Sequence, residues 1–172
     1  MAHALECYFD HAADEAVRAL RQRLALAGVP TAAERPHLSL AMAGTIPPAT
    51  RRSLATDLAV LAMPSVWLYT LGTFPTSQNT LLLCAVTDAE LLAVHVAAHD
   101  ALAGRVRDPW AHYLPGMWVP HCTLAEDVTP EQLVAGFAAL HPIEPVRARI
   151  VEVAVRDTRT GTAETVQSYL SG

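Results

Sequence analysis

The sequence predicts an α+β fold: two pseudo-symmetric lobes, each an antiparallel-type sheet with covering helices, and a cleft between them. Three observations predict it. Apolar residues recur at helical spacing in four segments and form seven short strand-like runs. Two neighbouring strand patterns, 65–74 and 80–86, are joined by the turn-forming run Pro75-Thr76-Ser77-Gln78-Asn79, which suits antiparallel pairing. The pattern Pro-His-x-[Ser/Thr]-Leu occurs twice, as Pro36-His37-Leu38-Ser39-Leu40 and Pro120-His121-Cys122-Thr123-Leu124, once in each half.

Taken in order, residues 3–9 place Leu5, Cys7 and Phe9 on one face of a strand. Asp10 then caps a helix that runs to about Gly28, with Val17, Leu20, Leu24 and Ala27 at helical spacing. A linker, 29–35, leads through Pro36 into the first motif strand, about 37–43. Pro47 and Pro48 suit the start of a second helix, about 48–62, which Pro64 ends. After the two strands of the hairpin, Asp88 caps a third helix, about 89–103, stopped at Gly104. Residues 105–116 read as a loop, and the second motif strand follows over 117–125. Thr129-Pro130-Glu131 opens a fourth helix, about 130–140. Ile143–Arg156 is a long strand, Asp157–Thr162 a turn and Glu164–Leu170 a last strand. Each half repeats strand, helix, motif strand, helix.

At 172 residues the chain suits one bilobal domain, 1–172, large enough to bury a sizeable core. Its net charge of -5 argues against a broad basic surface, so duplex DNA is not an expected partner. A nucleotide or a strand end in a local pocket remains compatible. Cys7, Cys84 and Cys122 are three, far apart and without C-x-x-C spacing, so neither a disulfide framework nor a zinc knuckle is indicated. The Met1–Glu6 start has no basic or apolar signal region, and apolar runs stop well short of bilayer length. The expectation is a soluble cytoplasmic protein without a membrane association.

The duplicated pattern carries the chemistry. Of the eight His, only His37 and His121 have a hydroxyl at i+2. Chance would give two such matches with a following Leu in roughly one sequence in a hundred. In a strand, i and i+2 share a face, so each motif offers an imidazole beside a hydroxyl, with Leu38, Leu40, Cys122 and Leu124 turned into packing. Two such pairs facing one another suit attack on a phosphodiester. One neutral imidazole takes a proton and the other, protonated, gives one. Ser39 and Thr123 can donate to the non-bridging oxygens, where charge develops. The catalytic candidates are therefore His37, Ser39, His121 and Thr123, and no cofactor or metal is expected.

Two H-x-[ST]-L stretches in a two-lobed α+β chain of this length resemble the 2H phosphoesterase superfamily. The nearest branch is similar to bacterial 2′-5′ RNA ligases and RNA 2′,3′-cyclic phosphodiesterases. The opening Ala4-Leu5-Glu6-Cys7-Tyr8-Phe9-Asp10 strand and the Trp118–Leu124 run share that likeness. The resemblance implies a bilobal fold with His37 and Ser39 on one side and His121 and Thr123 on the other. It implies hydrolysis of 2′,3′-cyclic phosphate ends, or making and breaking of 2′-5′ linkages, with a nucleotide or cyclic-phosphate RNA end as partner. Members acting on RNA often carry a basic residue soon after the second motif. Here Ala125-Glu126-Asp127 is acidic, and Arg35 before the first motif is the nearest compensation.

Other candidates are weaker. Arg35, His112 and Trp118 are the substrate-binding candidates, although His112 reads equally as a surface-loop residue and Trp118 more readily as a core one. His95 and His99 stand i, i+4 without the Glu of an H-E-x-x-H motif, and read as exposed or boundary positions. Phe74 and Tyr113 read as packing residues. Two competing functions follow: a non-catalytic nucleotide or RNA-end binder using the same cleft, and a metallohydrolase drawing on His95, His99 and His112. Only acid/base catalysis accounts for the hydroxyl beside each motif His.

Overall fold

The computed structural model describes residues 2–169; Met1 and Leu170, which the sequence reading placed in the N-terminal start and the last strand, lie outside them. The described chain forms eight strands and four helices: β1 (His3–Phe9), α1 (His11–Leu26), β2 (His37–Thr45), α2 (Pro48–Ala59), β3 (Ser65–Gly72), β4 (Leu81–Ala85), α3 (Ala89–Leu102), β5 (Arg107–Pro109), β6 (His121–Ala125), α4 (Pro130–Leu140), β7 (Val146–Asp157) and β8 (Ala163–Ser168). The caps read from sequence form. Asp10 accepts from the Ala13 amide at 3.3 Å and Asp88 from the Leu91 amide at 2.8 Å. Thr129 and Gln132 close a reciprocal capping box with Pro130 in the first turn. Gly28 ends the first helix at φ +76°, a conformation that disfavours any side chain.

All strand pairs are antiparallel, in the order β5-β2-β1-β7-β3-β4-β6, with β8 on β7. β7 belongs to both lobes. Its first residues, Val146–Arg149, pair with β3, and Ile150–Asp157 pair with β1. α2 and α3 pack together over the lobe of β1 and β2, while α1 and α4 pack over the lobe of β3, β4 and β6. The apolar faces meet these helices in one core that includes Leu5, Leu38, Leu40, Leu68, Leu83, Cys122 and Leu124.

The lobes are interleaved in the sequence rather than being its two halves. α1, from the first half, packs under β6 and α4 of the second; β5, β7 and β8 complete the sheet begun by β1 and β2. The loop expected over 105–116 contains β5, a three-residue edge strand that pairs with Ala43 and Thr45 of β2, and a 3₁₀ turn at Ala111–Tyr113. Pro109 hid this strand from sequence reading, yet an edge position tolerates the missing N–H. The three cysteines are free thiols. Among the described residues no helix is long and apolar enough to cross a membrane.

Candidate active site

β2 and β6 approach each other across the cleft between the lobes. Strand alternation buries Leu38, Leu40, Cys122 and Leu124 completely and turns the residues between them the other way. His37, Ser39, His121 and Thr123 all line one cavity of about 340 Å³.

Both imidazoles are held identically. His37 Nδ1 lies 2.7 Å from the Arg35 carbonyl, and His121 Nδ1 lies 2.6 Å from the Val119 carbonyl. A carbonyl only accepts, so each Nδ1 donates its N–H there and leaves Nε2 as the ring atom free to take or give a proton. The proline of each motif now has a role. Pro36 and Pro120 fix φ between the carbonyl and the histidine, and each accepting carbonyl belongs to the peptide bond into that proline.

The surroundings break the symmetry. Glu6 of β1 is fully buried at the cavity wall. Its Oε1 accepts from Arg156 Nε at 2.8 Å and lies 3.4 Å from His37 Nε2; its Oε2 accepts from the Tyr8 hydroxyl at 2.8 Å. His121 has an aromatic neighbour instead, Phe74, edge-on at 5.0 Å. Burial, reinforced by His37, holds the His121 imidazole below its ordinary range. Arg21 of α1, also buried, donates to the Glu34 carbonyl and, at 2.7 Å, to the Thr123 carbonyl. One guanidinium thus ties the second motif strand to the segment leading into the first.

The model of the 2′-5′ RNA ligase superfamily matches residues 8–162. The chain belongs to this superfamily. Among solved structures, the superfamily chain is similar to E. coli LigT complexed with 3′-AMP, at 16% identity and TM-score 0.59, over 95% of this chain and 91% of LigT. It is also similar to TT0787 of Thermus thermophilus, at 17% identity and TM-score 0.60, over 97% and 96% of the two chains. A further structure described as a phosphoesterase matches at 17% identity and TM-score 0.59, over 95% and 92%. At these identities the likeness is one of fold. No curated protein matches the sequence.

Within the superfamily fold, the three residues expected to bind substrate do not line the cavity. Arg35 lies over the Tyr8 ring at 4.2 Å and bonds Glu152 at 2.9 Å, outside the histidine pair. His112 sits exposed on the 3₁₀ turn. Trp118 is buried behind the first motif: its Nε1 donates to the Ser39 carbonyl at 3.0 Å and its ring stacks on His95 at 4.0 Å. His95 is therefore no boundary residue, being 1% exposed, with Nε2 donating to the Tyr113 carbonyl at 2.8 Å. His99 Nε2 likewise reaches the Leu40 carbonyl at 3.1 Å. Among the described residues, no three His, Cys, Asp or Glu side chains are grouped to hold a metal ion. Sequence reading missed Glu6, Tyr8, Arg21 and Arg156. The findable signal was Glu6 itself, a carboxylate between core residues Leu5 and Cys7 on the opposite face of a strand.

Burial drops His95 to about 4, against the pull of the Tyr113 carbonyl on its N–H. The folded state thus resists protonation that the unfolded chain accepts, so this contribution is complete above about pH 6.5 and is lost as pH falls toward 4. Urea unfolding at pH 7 and pH 4.5 should differ by about 2–3 kcal/mol from this group. His95→Gln, which keeps an N–H donor, should flatten that slope; an unchanged slope would assign the acid sensitivity elsewhere.

Proposed function

We propose that the chain is a phosphoesterase that opens 2′,3′-cyclic phosphate or 2′-5′ phosphodiester bonds of RNA ends or nucleotides by two-histidine acid/base catalysis. The observation that carries this reading is the matched anchoring of His37 and His121. Both present Nε2 to one cavity, each with a hydroxyl two residues on. The cavity volume falls in the range of small-ligand sites, and the similar LigT fold was crystallised with 3′-AMP.

In the proposed step, His121 Nε2 takes a proton from water as the water oxygen bonds to phosphorus. The bond from phosphorus to one ribose oxygen breaks, and that oxygen leaves with the proton of His37 Nε2. Ser39 and Thr123 donate to the non-bridging oxygens. The split of roles rests on the surroundings of His121. Desolvation holds the half-buried His121 imidazole below its ordinary range, which favours the neutral base. His37 then takes the acid's part, its Nε2 lying 3.4 Å from Glu6 Oε1 on the other wall of the cavity.

The test is release of nucleoside 2′- or 3′-monophosphate from nucleoside 2′,3′-cyclic phosphates in EDTA, followed across pH. The expected profile of kcat/KM is a bell. Its acid limb, where His121 loses its proton, lies below pH 6.5, because the His121 value is lowered. Tight binding of the same nucleotides with no turnover at any pH would replace this reading with a non-catalytic binder.

A further inference from the structure

The cleft-side face of the second lobe extends beyond the cavity. Leu68, Leu83 and Cys122 belong to the core face. Trp67, one step from Leu68, and His121 and Thr123, on either side of Cys122, therefore share the opposite face. Trp67 pairs across the ladder with Arg147, and Arg149 lies two residues on from it along β7. Trp67 is 49% exposed and Tyr69 53%, their rings edge-to-face at 5.9 Å. Arg149 reaches an acidic partner, Asp10, only at 3.9 Å and keeps 79% of its side chain exposed. β7 carries the same face back to Arg156 in the cavity.

Exposed indole and phenol faces beside guanidiniums are a poor surface for water and a good one for single-stranded nucleic acid. Bases stack on the rings, and phosphates meet the arginines. The charge complementarity favours this occupant over an apolar protein face. His121 lies opposite Cys84 and Trp67 opposite Val86, so the two are two strand spacings and two residues apart, roughly 12 Å. A mononucleotide held at the histidines does not span that distance. We propose that Trp67, Tyr69, Arg147 and Arg149 form a stacking platform for the single strand leading away from the scissile phosphate. The substrate is then the end of an oligoribonucleotide rather than a free nucleotide. This rests on the phosphoesterase reading and narrows its substrate class.

The test uses a short, fluorescently labelled single-stranded oligoribonucleotide ending in a 2′,3′-cyclic phosphate, beside a nucleoside 2′,3′-cyclic monophosphate. Binding is read by anisotropy and turnover by product release. Trp67→Ala should weaken oligonucleotide binding about tenfold. Arg147→Gln with Arg149→Gln should weaken it and lower the salt slope by about 1–2. Neither change should alter kcat/KM on the mononucleotide. Oligonucleotide affinity unchanged in both variants overturns the platform. So does a concentration-dependent dimer that Trp67→Ala dissolves without touching RNA affinity, since the face then belongs to a second copy. Trp67-dependent binding without any turnover keeps the platform and removes the phosphoesterase reading, so the two fail separately.

Discussion

His37→Ala and His121→Ala should each lower kcat/KM on a 2′,3′-cyclic phosphate by about a thousandfold, with folding retained. Removal of one positioned acid or base typically costs 10²–10⁴-fold, and neither imidazole contributes to the core cluster. Each ring makes its hydrogen bond to a carbonyl of its own strand leader, which alanine leaves open to solvent at the cavity rim. Thermal midpoints should therefore move little. The double variant should be scarcely worse than either single one, because two groups that act in one proton-transfer event lose their effect together. Additive losses, with each single variant retaining a tenth or more of the activity, would sink the two-histidine mechanism. Parallel assays of His95→Gln provide the contrast: a histidine behind the site, stacked on Trp118, whose loss should affect stability more than turnover.

The largest expected effect on stability is at Glu6. Its carboxylate is fully buried and takes Arg156 and the Tyr8 hydroxyl at 2.8 Å each. Glu6→Leu removes the acceptor for both and leaves the Arg156 guanidinium, only 16% exposed, without its counter-charge. Breaking such a pair from one side costs about 3–5 kcal/mol, and the partial exposure of Arg156 points to the lower end, about 3 kcal/mol. For a chain of this size that is a fall in Tm of roughly 6–12 °C. Glu6→Leu combined with Arg156→Met should recover most of the loss, since no unpaired charge then remains. A midpoint unchanged by Glu6→Leu, or a double variant as unstable as the sum of the singles, would show the pair to be uncoupled. Because Glu6 also lies 3.4 Å from His37 Nε2, the rescued double variant should remain slow while stable.

Helix limits were legible because their signals are local: Asp10, Asp88 and the Thr129-Pro130 pair act within one turn of where they stand. The motif pair was legible for the same reason, since alternation fixes the relation of His37 to Ser39 and of His121 to Thr123. Glu6 and Arg156 were not, being 150 residues apart, joined only by the pairing of β1 with β7. Trp118 and His95 misled in opposite directions. An aromatic beside the motif suggests a stacking surface, and a histidine on a helix suggests solvent. Each instead satisfies the other's burial, with their N–H groups spent on the Ser39 and Tyr113 carbonyls. The interleaved lobes left no trace in a linear reading, because α1 says nothing in its own residues about which sheet it covers.

The shared strand has a mechanical corollary. β7 runs as one splint through both lobes, ladder-bonded to β3 at one end and to β1 and β8 at the other. The two ladders take adjacent segments of that strand, so any change in the gap between His37 and His121 must bend β7 where one ladder gives way to the other, at Arg149 and Ile150. The edges of that gap belong to residues 73–80 and 105–119, which contribute Phe74, Gln78, Trp110 and Tyr113 to its rim.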